Sequence, residues 1–160
     1  MSQSMLCYLG LGGNLGHPVS LFDSVVEHFA QHPLASAVLE SPRFRSAPVD
    51  ATGPDYVNSV LALQWAGSPE ALLDECMALE VRLGRVRTTR NAPRPIDVDV
   101  LLCGSATLDT PRLTLPHPRM HQRRFVLQPL CELAPDLEIP GRGKVRDLLR
   151  DTLDQQVSPI

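Results

Sequence analysis

A chain of 160 residues, 43% apolar and 21% charged with a net charge of -3, can bury a core and is excluded from the disordered and fibrous classes. That length suits one domain over residues 1–160. A pI near 5.9 and a mean hydropathy of -0.05 exclude a surface given over wholly to nucleic acid, so any basic patch must be local.

No stretch approaches the roughly 18 apolar residues of a membrane span, and residues 1–16 lack a basic segment followed by an apolar one. The expectation is a cytoplasmic protein with no membrane partner. Cys7, Cys76, Cys103 and Cys131 are far apart in apolar sequence without a CxxC, and they read as small core hydrophobes.

In chain order, residues 5–11 predict a buried strand that ends in a turn made by Gly10, Gly12, Gly13, Asn14 and Gly16. Leu21, Phe22, Val25, Val26 and Phe29 recur at helical spacing, and the pattern stops near Pro33. Residues 38–45 predict a second strand, 46–54 a loop, and 56–65 a third strand with β-branched and aromatic content. Ser68-Pro69-Glu70 is a helix start: the serine caps free amides, proline suits the first helical position and glutamate faces the positive dipole end. This helix should run to about Leu83, with Gly84 at its end.

Residues 96–103 alternate, with Ile96, Val98, Val100 and Leu102 on one face and Asp97, Asp99, Leu101 and Cys103 on the other. A turn at Gly104-Ser105, a third helix over 119–133 and a short fourth over 145–153 follow. The order β-α-β-β-α-β implies an α+β sandwich of ferredoxin-like type, with helices on the faces of a mostly antiparallel sheet.

The most informative motif is Asp97-Val98-Asp99. Carboxylates two apart on a strand project from one face, about 6.6–7 Å apart at Cα, and such a pair can hold hard divalent cations such as Mg²⁺ through oxygen. Taken alone, it also fits a solvated edge strand. Upstream, Arg82, Arg85, Arg87, Arg90 and Arg94 occur with no acidic residue among them. Arginines bind phosphate oxygens in a forked geometry while carboxylates hold the metal, which together suits a polyphosphate–Mg²⁺ complex. A solvated basic loop is the competing explanation.

A Walker A motif is absent: Gly143-Lys144-Val145 lacks the upstream glycine and the Ser/Thr. Gly10, Gly12 and Gly13 miss the last position of GxGxxG and read as a close-approach turn or the backbone lining of a small-molecule pocket. The pairs His28/His32 and His117/His121 are each four apart. The first reads as surface or structural at a helix C-terminus, and His117 as a potential donor to phosphate.

The run from Arg90 through Arg94, Asp97 and Asp99 to Leu101 resembles the signature of the 6-hydroxymethyl-7,8-dihydropterin pyrophosphokinase family. Residues 11–16, Pro54-Asp55-Tyr56-Val57-Asn58, Glu80, residues 84–87, residues 112–117, Arg123 and Phe125 agree in order, so the resemblance covers nearly the whole chain. It implies transfer of pyrophosphate from ATP to the pterin hydroxymethyl group, with release of AMP, by a monomer.

By that resemblance Asp97 and Asp99 hold two Mg²⁺ ions, and Asp97, Asp99, Arg94 and Arg85 carry catalysis. ATP is bound by Glu80, Arg85, Arg87, Arg94, Val100, Arg112, Leu113, Thr114, His117 and Arg123. The pterin pocket is drawn from Ser46, Ala47, Val49, Tyr56, Asn58 and Phe125. Ser46-Ala47 stands where Thr-Pro is frequent in the family, and Asn91 where an aromatic is often found. A catalytically weak pterin- or nucleotide-binding paralogue is the second reading. A ferredoxin-like RNA-binding module is a third, which the 4% aromatic content and net negative charge oppose.

Overall fold

Runs of aliphatic and β-branched residues build a central sheet whose two faces are both covered by helices. The computed structural model describes residues 3–14, 18–47, 55–84 and 95–160. The elements are β1 (Met5–Asn14), α1 (Pro18–Ala30), β2 (Ala35–Glu40), β3 (Phe44–Ser46), β4 (Tyr56–Trp65), α2 (Pro69–Leu83) and β5 (Ile96–Cys103). After β6 (Leu108–Asp109) and β7 (Thr114–Leu115) come a 3₁₀ turn (Met120–Gln122), α3 (Arg124–Leu133), β8 (Glu138–Ile139), β9 (Gly143–Lys144), α4 (Val145–Arg150) and β10 (Val157–Pro159).

The main sheet has the order β10-β3-β4-β1-β5, with β2 also paired to β4. Every pairing is antiparallel. On one face Phe22, Val25 and Phe29 of α1 and Leu72, Cys76 and Leu79 of α2 pack against Leu9, Leu61, Leu63, Trp65 and Val98. On the other, Leu127 and Leu130 of α3 and Val145 of α4 cover Tyr8, Val60, Leu101 and Leu102. Burial of each such aliphatic side chain stabilises by about 1.5–3 kcal/mol.

The third strand and second helix lie as their sequences predict. Ser68 Oγ accepts the Ala71 N–H at 3.1 Å, with Pro69 at the first position, a cap that contributes about 1 kcal/mol. Among the described residues no helix is long and apolar enough to cross a membrane. All four cysteines are free, and Cys7, Cys76 and Cys103 are buried in the core as expected while Cys131 is half-buried.

Several expectations are corrected. β1 does not end at Leu11: Gly10, Gly12 and Gly13 are strand residues paired on both sides, with β4 and with β5. The predicted strand over 38–45 is two strands, interrupted at residues 41–43. There Arg43 grips both Glu40 carboxylate oxygens and reaches Asp23 of α1 at 2.7 Å, while Ser59 donates to the same Glu40. Strong side-chain bonds thus replace the ladder at this corner. The third helix starts as a 3₁₀ turn, and Gln155 satisfies the start of α3 by accepting the Arg124 N–H at 3.0 Å. α4 stops at Arg150 instead of 153. The hairpins β6–β7 and β8–β9, and β10 covering the edge of β3, were not legible in the periodicity.

The alternation in β5 also fails at its end. Leu9 pairs with Val100 but Tyr8 with Leu102, so Leu101 is an extra residue. Leu101 keeps the α3 face that the alternation gives it, and the bulge turns Leu102 to that same face and Cys103 to the α1/α2 face, since one inserted residue switches the faces of all that follow. Leu61→Ala, at a fully buried position, should cost about 2–5 kcal/mol of unfolding free energy in urea titration. Leu39→Ala, at a 60% exposed position on β2, should stay within about 0.5 kcal/mol; equal losses would contradict this division of faces.

Candidate active site

Directly opposed residues of an antiparallel sheet share a face. Gly12 of β1 lies between Asn58 of β4 and Asp97 of β5, and Gly10 lies between Val60 and Asp99. The two carboxylates therefore stand beside bare backbone. A Cβ at Gly12 would approach Asn58 Nδ2 to 3.3 Å, and one at Gly10 would approach Leu101 Cδ2 to 3.3 Å. A cleft of about 240 Å³ opens over this strip, lined by Gly10, Gly12, Asp97, Asp99 and Leu101 from the centre and Ser46, Ala47, Tyr56 and Asn58 from β3 and β4. His117, Arg123, Phe125 and Val126 close its far wall.

Each wall is fixed by a local device. Ser46 Oγ donates to Asn58 Oδ1 at 2.8 Å between two buried side chains, which leaves the amide nitrogen on the Gly12 side. Arg123 places its guanidinium over the Phe125 ring, 5.5 Å from the centroid, so a cation and an aromatic face are held together. Val98, whose backbone lies between the two aspartates, donates its N–H to Glu80 Oε2 of α2 at 2.6 Å. On the same strand the bulged Leu101 accepts the His117 N–H at 2.9 Å. Both bonds satisfy polar groups on the outer edge of β5, which would otherwise lack partners.

His117 is also fixed chemically. Its Nδ1 accepts the Arg119 N–H at 3.1 Å, so Nε2 carries the proton in the neutral ring and can donate to an anion. Burial pushes the imidazole below its ordinary value; Asp99 opposes this, and Arg123 and Arg119 add to it. Asp97 and Asp99 are solvent-exposed and offer hard oxygen donors suited to Mg²⁺.

Of the residues singled out from the sequence, Asp97, Asp99, Ser46, Ala47, Tyr56, Asn58, His117, Arg123 and Phe125 meet around one cleft. Val100 and Leu113 instead pack into the core on the α1/α2 side. Arg112 pairs with Asp74 of α2. Thr114 lies in the β6–β7 hairpin, beside a separate groove. Val49, Arg85, Arg87 and Arg94 lie outside the described residues.

Known proteins show the family of the chain. Residues 8–135 match the model of the 7,8-dihydro-6-hydroxymethylpterin-pyrophosphokinase (HPPK) family. The chain belongs to that family. A 2-amino-4-hydroxy-6-hydroxymethyldihydropteridine pyrophosphokinase of Methylorubrum extorquens is 42% identical over 143 residues, covering 89% of this chain and 90% of the relative. Enzymes of the same name from Pseudomonas aeruginosa and Haemophilus influenzae are 42% and 36% identical, over 89% and 94% of this chain and 88% and 94% of their own lengths.

Solved structures agree in fold. A crystal structure of HPPK-DHPS in complex with substrates matches with a TM-score of 0.77 at 10% identity, over 96% of this chain and 44% of that one. Plasmodium falciparum HPPK-DHPS with pterin and p-hydroxybenzoate gives 0.75 at 12%, over 96% and 44%. This chain spans less than half the length of those chains.

Within the HPPK framework, Leu101, Ser59 and Val126 line the cleft without having been singled out as site residues. The alternation of β5 did carry a signal for Leu101, since it put that residue on the face of Asp97 and Asp99. Ser59 and Val126 had no such signal, because their placement depends on pairing and on helix packing from distant sequence.

Two measurements follow from these bonds. Glu80→Ala leaves the Val98 N–H without this acceptor and should cost about 1–3 kcal/mol in urea unfolding, whereas Glu80→Gln retains a carbonyl acceptor and should cost less. Equal losses would mean that the bond to Val98 is not what Glu80 contributes. Because the folded-state pKa of His117 lies below the unfolded one, the unfolded chain takes up the proton first as pH falls below about 6.5, and stability is lost over that window. His117→Asn should therefore flatten the fall in unfolding free energy between about pH 7 and pH 5; an unchanged slope would exclude His117 as a source.

Proposed function

We propose that the chain transfers pyrophosphate from ATP to 6-hydroxymethyl-7,8-dihydropterin, giving the pterin diphosphate and AMP in folate biosynthesis. The observation that carries this reading is the convergence of Asp97 and Asp99 with Asn58, Phe125, His117 and Arg123 on one cleft. It joins a hard-cation donor pair, phosphate-binding groups and a surface for a flat heterocycle. The catalytically weak paralogue draws no support from this convergence, because both carboxylates remain in the site.

Asn58, oriented by Ser46, presents donor and acceptor atoms to the amide and amino edge of the pterin, and Phe125 offers a face for stacking. Tyr56, Ala47 and Val49 complete that pocket. His117 donates from Nε2 to a phosphate oxygen, and Arg123 adds a forked cation. Arg85, Arg87 and Arg94, with Glu80, Val100, Arg112, Leu113 and Thr114, are assigned to the ATP side through the family signature.

Asp97 and Asp99 would hold two Mg²⁺ ions, as their exposed oxygen donors suit. When bound, Mg²⁺ supplies charge neutralisation on the phosphates and lowers the pKa of the attacking hydroxyl. No protein nucleophile is required: the chain positions two substrates in line and stabilises the spreading negative charge. We read the β5-β1-β4 path, with β2 and β3 beyond β4 and α1 and α2 on one face, as a ferredoxin-like core. The chain acts as a single domain and a monomer in the cytoplasm.

Chromatography of products from ATP and Mg²⁺, with and without the pterin, tests the reaction. AMP should form only when the pterin is present, and Asp97→Ala or Asp99→Ala should lower the rate at least about a hundredfold while the circular dichroism spectrum stays native. Pterin-independent AMP release, or near-native rates in both variants at saturating Mg²⁺, would overturn the assignment.

A further inference from the structure

On the sheet face opposite the cleft, α1 and α2 bring together three metal-ligating side chains that the proposed reaction does not use. His28 in the last turn of α1 and His32 just beyond it are four residues apart, so both rings lie on one side of the helix end. Glu75 approaches from the middle of α2. Its Oε1 is 2.8 Å from His28 Nε2 and 3.3 Å from His32 Nε2, and one ligand atom from each of the three lies within 4.8 Å of the others.

The side chains are 20%, 14% and 33% exposed, walled in but open to a dissolved ion. Aromatic neighbours hold the rings: His28 meets Phe29 edge-on at 5.1 Å between centroids, and His32 meets Trp65 at 5.1 Å. His32 Nδ1 accepts the Leu34 N–H at 3.1 Å, and Arg82 Nη2 lies 3.3 Å from His28 Nδ1. The ring protons therefore sit on the two Nε2 atoms, both aimed at one carboxylate oxygen. Burial alone would raise the Glu75 carboxyl, but its bonds to His28 and His32 outweigh that and hold it below its ordinary range. It is a charged acceptor on which two imidazole nitrogens already converge.

We propose that His28, His32 and Glu75 form a binding site for one borderline divalent transition-metal ion of the Zn²⁺ class, with water completing the coordination. Two imidazole nitrogens and one carboxylate oxygen match the donor preference of Zn²⁺, whereas Mg²⁺ and Ca²⁺ prefer all-oxygen sets. Binding uses the Nε2 lone pairs. Each ring loses its Nε2 proton to solvent and takes one up at Nδ1, so Leu34 N–H and Arg82 must give way. That displacement keeps the site exchangeable. The ion would tie the end of α1 to α2, and because it binds the folded chain it would raise thermal stability.

The test is calorimetric titration of the full-length chain with Zn²⁺ in saturating Mg²⁺, paralleled by Co²⁺ visible absorption. One ion should bind per chain, and also per Asp97→Ala/Asp99→Ala chain. His28→Ala, His32→Ala and Glu75→Gln should each weaken binding at least about tenfold while keeping a native circular dichroism spectrum. Zn²⁺ should raise the Tm of the native chain and not that of His28→Ala/His32→Ala. Undiminished binding in that double variant, loss of binding in the aspartate variant, native affinity in Glu75→Gln, or a thiolate-to-Co²⁺ charge-transfer band would each overturn the site.

Discussion

A strand that carries glycine at two successive positions of one face is the constraint on which the cleft depends. β1 lies inside the sheet, so the residues opposite Gly12 on either side, Asn58 and Asp97, are separated by two strand spacings, about 9.5 Å. Between them is backbone alone. Any side chain at position 12 would press on the Asn58 amide and fill part of the cleft between that amide and the carboxylate pair. Gly10 meets a different demand: its missing Cβ makes room for the Leu101 side chain, which follows Asp97 and Asp99 on this face.

That bulge connects the interior of the sheet to the site. An extra residue in β5 breaks the ladder with β1 and switches the faces of the residues that follow it. At the extra residue, Leu101, the carbonyl accepts the His117 N–H, drawing the loop after β7 against the edge of β5 and setting His117 beside Asp99. Glu80 of α2 does the same for the Val98 N–H, which also faces outward. The edge strand is thus capped from both sides, by a carboxylate at one end and an amide at the other. The aspartates project from a segment whose backbone is held at two points.

What was legible in the sequence follows from how local each signal is. The limits of β4 and the start of α2 depend on their own residues, a β-branched run and Ser68-Pro69-Glu70, and both were readable. Asp97 and Asp99 were readable because a period of two places them together whatever the rest of the fold does. The turn reading of the β1 glycines failed while their alternative as backbone lining of a pocket held for Gly10 and Gly12, since a glycine needed for close approach between strands looks in sequence like one needed to reverse the chain. The face switch of Leu102 and Cys103 was hidden because a bulge is a property of two paired strands. The break at residues 41–43 depends on Asp23 and Ser59, which are 20 and 19 residues from Arg43 and Glu40. Most of the pterin-side assignments came from the family resemblance, and the cleft then brought Ser46, Tyr56, Asn58 and Phe125 to one place.

The two faces of the sheet carry different candidate donor sets, Asp97 and Asp99 with His117 on the cleft side and His28, His32 and Glu75 on the other. Around the cleft Asp97 and Asp99 offer exposed carboxylate oxygens, with the Arg123 guanidinium on the far wall, a setting that favours a hard ion arriving with phosphate oxygens as further ligands. Across the sheet, two imidazole nitrogens share one carboxylate oxygen, which favours an ion that forms stronger bonds to nitrogen. On the proposed assignments, this difference in donor chemistry, with a buried sheet between the two places, lets the chain hold both kinds of ion without competition, in coordination environments that a single open surface would mix.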